Sequence, residues 1–124
     1  MNEKVTFQFS HSLGIFFKHY YGNITLEDII SSWENIIDNH LIPAETKGFV
    51  LDYRNAIIKV SPGHSASIAN FYKSHLEVFN NLKIAILTDK PENVVISILV
   101  ESKDEGYQSK PFSTMEAAVR WVLS

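Results

Sequence analysis

Gly48-Phe49-Val50-Leu51-Asp52-Tyr53-Arg54 and, after Asn55 to Val60, Ser61-Pro62-Gly63-His64-Ser65-Ala66 together decide the fold. Phe49, Val50 and Leu51 are continuously apolar, as a strand covered on both faces requires. Asp52-Tyr53-Arg54 should stand at that strand's carboxyl end. Ser61-Pro62 is a strong helix start: serine is a preferred cap, and proline at the first helical position lacks an N–H that would have no partner there. Ile68, Phe71, Tyr72, His75, Val78 and Phe79 then share a helical face, and Asn80-Asn81 closes it.

Working outward, Val5, Phe7 and Phe9 alternate with polar residues, the period of a half-wet strand. Gly14 to Tyr21 reads as a second strand paired with it in a hairpin, ended by Gly22-Asn23. Both faces of this second strand are substantially apolar, so the face turned away from the helices needs a cover. Thr25 with Asp28 gives a capping-box variant for a helix burying Leu26, Ile29, Ile30, Trp33, Ile36 and Ile37. Lys83 to Thr88 is a second buried strand. Asn93 to Ser102 is β-branched and has strand propensity. The Asp89-Lys90-Pro91-Glu92 start and the following Gly106 argue for a helix, as does the crossover that two parallel strands need. Tyr107 to Lys110 is a short edge strand. Ser113-Thr114-Met115-Glu116 reads as a capping box for a last helix packing Met115, Ala118, Val119 and Val122.

The order is ββαβαβαβα, an α/β fold with a mixed sheet of four or five strands and four helices, read as a single domain over residues 1–124. With 124 residues and 45% hydrophobic content, the chain can build a core without staples. It has no cysteine, so disulfides, thiolate metal sites and cysteine nucleophiles are excluded. No apolar run is long enough to span a bilayer, and a cytoplasmic location is the expectation. The net charge of −3, with scattered basic residues, points away from nucleic acid.

At this point the chain resembles the STAS domains, the SpoIIAA-like fold of the anti-sigma-factor antagonists, and more closely the divergent STAS-like proteins related to SEC14 lipid-binding domains. In the antagonists a buried strand ends in Leu-Asp-Leu, and Asp-Ser-Ser-Gly opens the next helix. Here Leu51-Asp52-Tyr53 is followed at the same interval by Val60-Ser61-Pro62-Gly63. The segment Phe112 to Val122 is similar to the family's last strand end and Ala-rich, Trp-containing helix. The resemblance implies the fold and argues against the family's switch. Pro62 stands where the phosphate-accepting serine would be, and Val60 where the acid would be.

Ligands in open α/β sheets collect beyond the carboxyl ends of the parallel strands. That edge should gather Asp52, Arg54, Asp89 and the turn of Ser61, Gly63, His64 and Ser65, where a helix N-terminus could receive an anion or lipid headgroup. Ser61, His64 and Asp52 have the residue types of a hydrolytic triad, but the nucleophile elbow Gly-x-Ser-x-Gly is absent, so no catalytic residue is assigned. The five histidines show no metal-ligand spacing, and neither metal nor cofactor is expected. The expected role is a non-enzymatic regulatory or protein-interaction module, with another protein or a second copy of the chain (a homodimer) as its partner and no switching by serine phosphorylation. The alternative is a binder of a lipid or of a small apolar or anionic ligand.

Overall fold

A computed structural model describes residues 4–124. Five strands, β1 (Val5–Ser10), β2 (Ile15–Thr25), β3 (Gly48–Lys59), β4 (Lys83–Leu87) and β5 (Gln108–Phe112), form one sheet in sequence order. β1 and β2 are antiparallel, and the other pairs are parallel. The helices are α1 (Leu26–Asp38), α2 (Ser65–Ser74), α3 (Leu76–Phe79), α4 (Pro91–Glu101) and α5 (Met115–Val122). Asn93 to Ser102 is therefore helical, despite its β-branched side chains.

The helices divide unequally between the faces of the sheet. One face carries Phe16, Tyr20, Phe49, Leu51, Tyr53, Ile84 and Ile86, packed under Ile29, Trp33 and Ile36 of α1, Ile68 and Tyr72 of α2, Phe79 of α3, and Ile96 and Val100 of α4. The other face carries Ile15, Phe17, Val50, Ala85 and Leu87 under Ala118 and Val122 of α5. This is why β2 is apolar on both sides: α5 supplies the second cover. Gly48 lies beneath α5 at close quarters, since a Cβ there would meet Val122 Cγ1 at 2.5 Å and the Lys83 carbonyl oxygen at 2.8 Å.

Several expectations need correction. β2 does not end at Gly22-Asn23. Its register against β3 shifts between His19 and Tyr21, and it continues through Gly22, whose φ of +79° suits glycine, to Thr25. β3 likewise runs on to Lys59, so Asp52 and Arg54 lie within it rather than at its end. The second expected helix is broken into a 3₁₀ turn at Pro62–His64, α2 and α3, which makes five α-helices instead of four. The break is at His75, with φ −126° and ψ 43°, where the redirected chain sends Phe79 into the core against Trp33, Phe49 and Tyr72. The Thr25–Asp28 capping box is formed. The last helix is capped one residue later than expected, by Thr114, whose Oγ1 accepts from Ala117 N at 3.2 Å.

β4 ends opposite Asp52, and the edge of β3 beyond it has no strand partner on that side. The side chain of Asn93 takes over. Its Nδ2 donates to the Ala56 carbonyl at 3.0 Å, and its Oδ1 accepts from Ile58 N at 2.8 Å. One buried amide thus continues the ladder and fixes the start of α4 against the sheet.

Candidate functional site

The residues singled out from sequence fall into two separate places. Asp52 is buried on the α5-bearing face, just beyond the end of that helix's cover. Its carboxylate accepts from Arg54 N and Nε at 3.0 Å and from Nη2 at 2.9 Å. Burial alone pushes the Asp52 carboxyl up, but these hydrogen bonds and the Arg54 charge outweigh it and hold it below the usual carboxylate range. His19, opposite Asp52 on β2, brings Nδ1 to 3.4 Å of Oδ2. The alternation of β2 carried no signal that would single His19 out from the other histidines. Asp89 adds negative charge near Arg54, and Lys90 donates to the Arg54 carbonyl. The cluster is well satisfied internally.

Ser61, Gly63, His64 and Ser65 lie at the far end of β3. At a strand rise of about 3.3 Å per residue, Lys59 is roughly 20 Å from Asp52, so the two groups do not converge. Ser61 makes no side-chain cap. Its Oγ shares a 2.7 Å hydrogen bond with His64 Nδ1, while Ser65 Oγ donates to the Pro62 carbonyl at 2.9 Å.

Another opening lies elsewhere, between β1 and α1. It is a cleft of about 630 Å³ lined by Val5, Thr6 and Phe7 from the strand and Ser31, Ser32, Asn35 and Ile36 from the helix. Its position follows from the topology. β1 is the edge strand and α1 packs over the core inside it, so the margin between the two is open. Phe7 is 41% exposed at the cleft wall and stacks on Phe16 with ring centres 5.4 Å apart.

Behind that wall sits Lys18, fully buried. Nζ donates to Ser32 Oγ at 2.8 Å and lies 3.8 Å from the centre of the Trp33 ring and 4.9 Å from that of Tyr20. Ser32 Oγ in turn donates to the Ile29 carbonyl at 2.9 Å. Among the described residues no carboxylate pairs with Lys18. Burial pushes its amine well below the usual lysine range. The Tyr20 hydroxyl and Trp33 Nε1 are also buried and make no hydrogen bond of normal geometry among the described residues. Lys18 was not singled out from sequence. The only hint was a charged residue in the middle of an otherwise apolar β2.

A solved structure supports the architecture. The chain is similar to an uncharacterized protein of the DUF3478 family with a SpoIIAA-like fold from Shewanella loihica PV-4, at 15% identity and a TM-score of 0.63, over 95% of this chain and 91% of that one. No known family profile and no curated protein matches the sequence. Among the described residues, no helix is long and apolar enough to cross a membrane, and no cluster of His, Cys, Asp or Glu could hold a metal ion. By its element order, its mixed sheet and this likeness over nearly its whole length, the chain has a SpoIIAA-like, STAS-type α/β fold.

Proposed function

We propose that the chain is a non-enzymatic binding module that receives a small amphipathic molecule in the cleft between β1 and α1. The observation that carries this reading is the cleft itself. Its volume of about 630 Å³ is within the range of small-molecule sites, and its wall combines Val5, Phe7 and Ile36 with Ser31, Ser32 and Asn35. This promotes the alternative role above the interaction role. It also moves the binding place away from Asp52, Arg54, Asp89, Ser61, Gly63, His64 and Ser65, whose polar groups largely satisfy one another. A hydrolase reading has little support, because Ser61 and His64 follow the end of β3 while Asp52 lies well back within that strand. Cytoplasmic residence is part of the proposal and rests on the cysteine-free composition.

Native mass spectrometry of the full chain tests it. Purified protein should carry a co-purified adduct, or take up an added amphiphile with chemical-shift changes at Val5, Phe7 and Ile36. Bare protein that takes up none would defeat the reading.

A second reading, a protein-interaction module or homodimer, is favoured by Val95 and Ile98. They are 51% and 52% exposed, one turn apart on the outer face of α4. Under this reading Ile98→Glu lowers the mass measured by light scattering, and a monomer at all concentrations counts against self-association. No serine switch enters either reading, since Pro62 stands at the position where the resemblance would put the phosphate acceptor.

A further inference from the structure

We infer that the cleft selects amphiphiles with a carboxylate head, and that Lys18 is the residue that reads it. The inference rests on the cleft reading and adds the ligand's chemical class. A buried amine normally has an acid beside it, because an unpaired charge in an apolar site is costly. Lys18 has none among the described residues. The groups facing it are Tyr20 on its own strand and Ser32 and Trp33 on α1.

Ser32 is the thin wall between amine and cleft, since its Oγ is 2.8 Å from Nζ and its side chain also lines the opening. Ser32 Oγ already donates its one proton to the Ile29 carbonyl, so an acid head packed against it would take its hydrogen bonds from Asn35 or Ser31 in the same wall and stand two hydrogen-bond lengths, about 6 Å, from Nζ. At that separation, in a poorly solvated site, opposite charges attract strongly. Once charged, Lys18 has no counter-charge among the described residues, and the carboxylate supplies one across Ser32 without touching the amine. Val5, Phe7 and Ile36 would cover the apolar tail. The event is binding, and no covalent bond changes.

The test uses the isotopically labelled full chain at neutral pH, titrated with sodium octanoate and with 1-octanol, which have the same tail length and differ in the head. The expected result is octanoate binding at least about tenfold tighter, the scale of a charge–charge attraction across about 6 Å of poorly solvated protein, with the Lys18 side-chain resonances moved by octanoate and not by octanol. Lys18→Met should bind both equally. Equal affinities for wild type, or a preference that survives Lys18→Met, overturns the inference while leaving the cleft reading intact. If neither compound perturbs the cleft, both fall. Should Lys18→Met not fold, the wild-type Lys18 resonances decide alone, and an unchanged side chain under saturating octanoate is fatal to the proposal.

Discussion

Lys18 Nζ stands 3.8 Å above the centre of the Trp33 ring, with Ser32 Oγ as its one oxygen partner among the described residues. The amine is therefore held where its charged form is poorly solvated, and folding lowers its pKa. Between the folded value and the unfolded value of about 10.4, the unfolded chain binds more protons, so stability attributable to Lys18 rises with pH. Lys18→Met fills a similar volume without the charge and should be more stable than wild type at pH 7, by about 1 kcal/mol or more. That gap should narrow as pH rises toward 9.5, still below the range where the buried tyrosines titrate. Urea midpoints at pH 7 and 9.5 measure it, and a gap that does not change with pH contradicts a depressed amine.

Asp52 behaves in the opposite sense. Its folded pKa is lowered, so its contribution is complete above the unfolded value of about 3.9 and is lost as pH falls through the folded value. Asp52→Asn should cost about 1–2 kcal/mol at neutral pH, a figure reduced because the Arg54 side chain is 45% exposed and its charge is screened. The gap between wild type and variant should hold down to about pH 4 and close only at lower pH, as the folded carboxyl takes up its proton. Denaturation curves at pH 7, 4 and 2 show whether it does.

Two glycines separate close packing from mere loop composition. A methyl group at Gly48 would collide with Val122 Cγ1 and with the Lys83 carbonyl, and the backbone oxygen cannot swing aside. Gly48→Ala should destabilise by about 1–3 kcal/mol and loosen α5. Gly63 has nothing within 4 Å of its would-be Cβ, so Gly63→Ala should change stability by no more than about 0.5 kcal/mol. Thermal unfolding of the two variants gives the comparison. Similar costs at both positions would refute the packing argument.

Much of the architecture was legible because its signals are local. The alternation of Val5, Phe7 and Phe9, the Thr25–Asp28 cap, the apolar run at Phe49 and the Pro91 start each constrain a few neighbouring residues. The helix break at His75 was hidden, because its cause is the distant set of rings that Phe79 joins. The length of β3 was hidden for a similar reason. Asn55 to Lys59 gain their order from β2 on one side and from a helix residue on the other, not from their own pattern. The site followed the same division. Asp52 and Arg54 could be paired from adjacency on one strand face. The cleft could not be foreseen, because it is the margin left between an edge strand and a helix placed by the whole sheet. Lys18 was visible only as an oddity, a cation between Phe17 and His19, until Ser32 and Trp33 came to lie over it.

Asn93 offers the sharpest test of that long-range order. Its amide joins the Ala56 carbonyl and Ile58 N, and Nδ2 also reaches Thr88 Oγ1 at 3.0 Å. Sequence reading saw only a residue in the first turn of a helix. Asn93→Ala would leave a buried carbonyl and a buried N–H of β3 unpaired, each costing about 1–3 kcal/mol, for a loss of roughly 2–6 kcal/mol in all. Asn93→Asp keeps the acceptor for Ile58 N but loses the donor to Ala56 and adds a buried charge, so it should be no milder at neutral pH. Asn93→Gln retains both functions on a longer arm and should recover part of the loss. Hydrogen exchange localises the effect: the Ile58 amide should lose protection in the alanine variant, while the β3 amides before Asp52, held by β4, keep theirs. If Ile58 stayed protected in Asn93→Ala, the amide would not be what completes the ladder beyond β4, and the edge of β3 would owe its order to β2 alone.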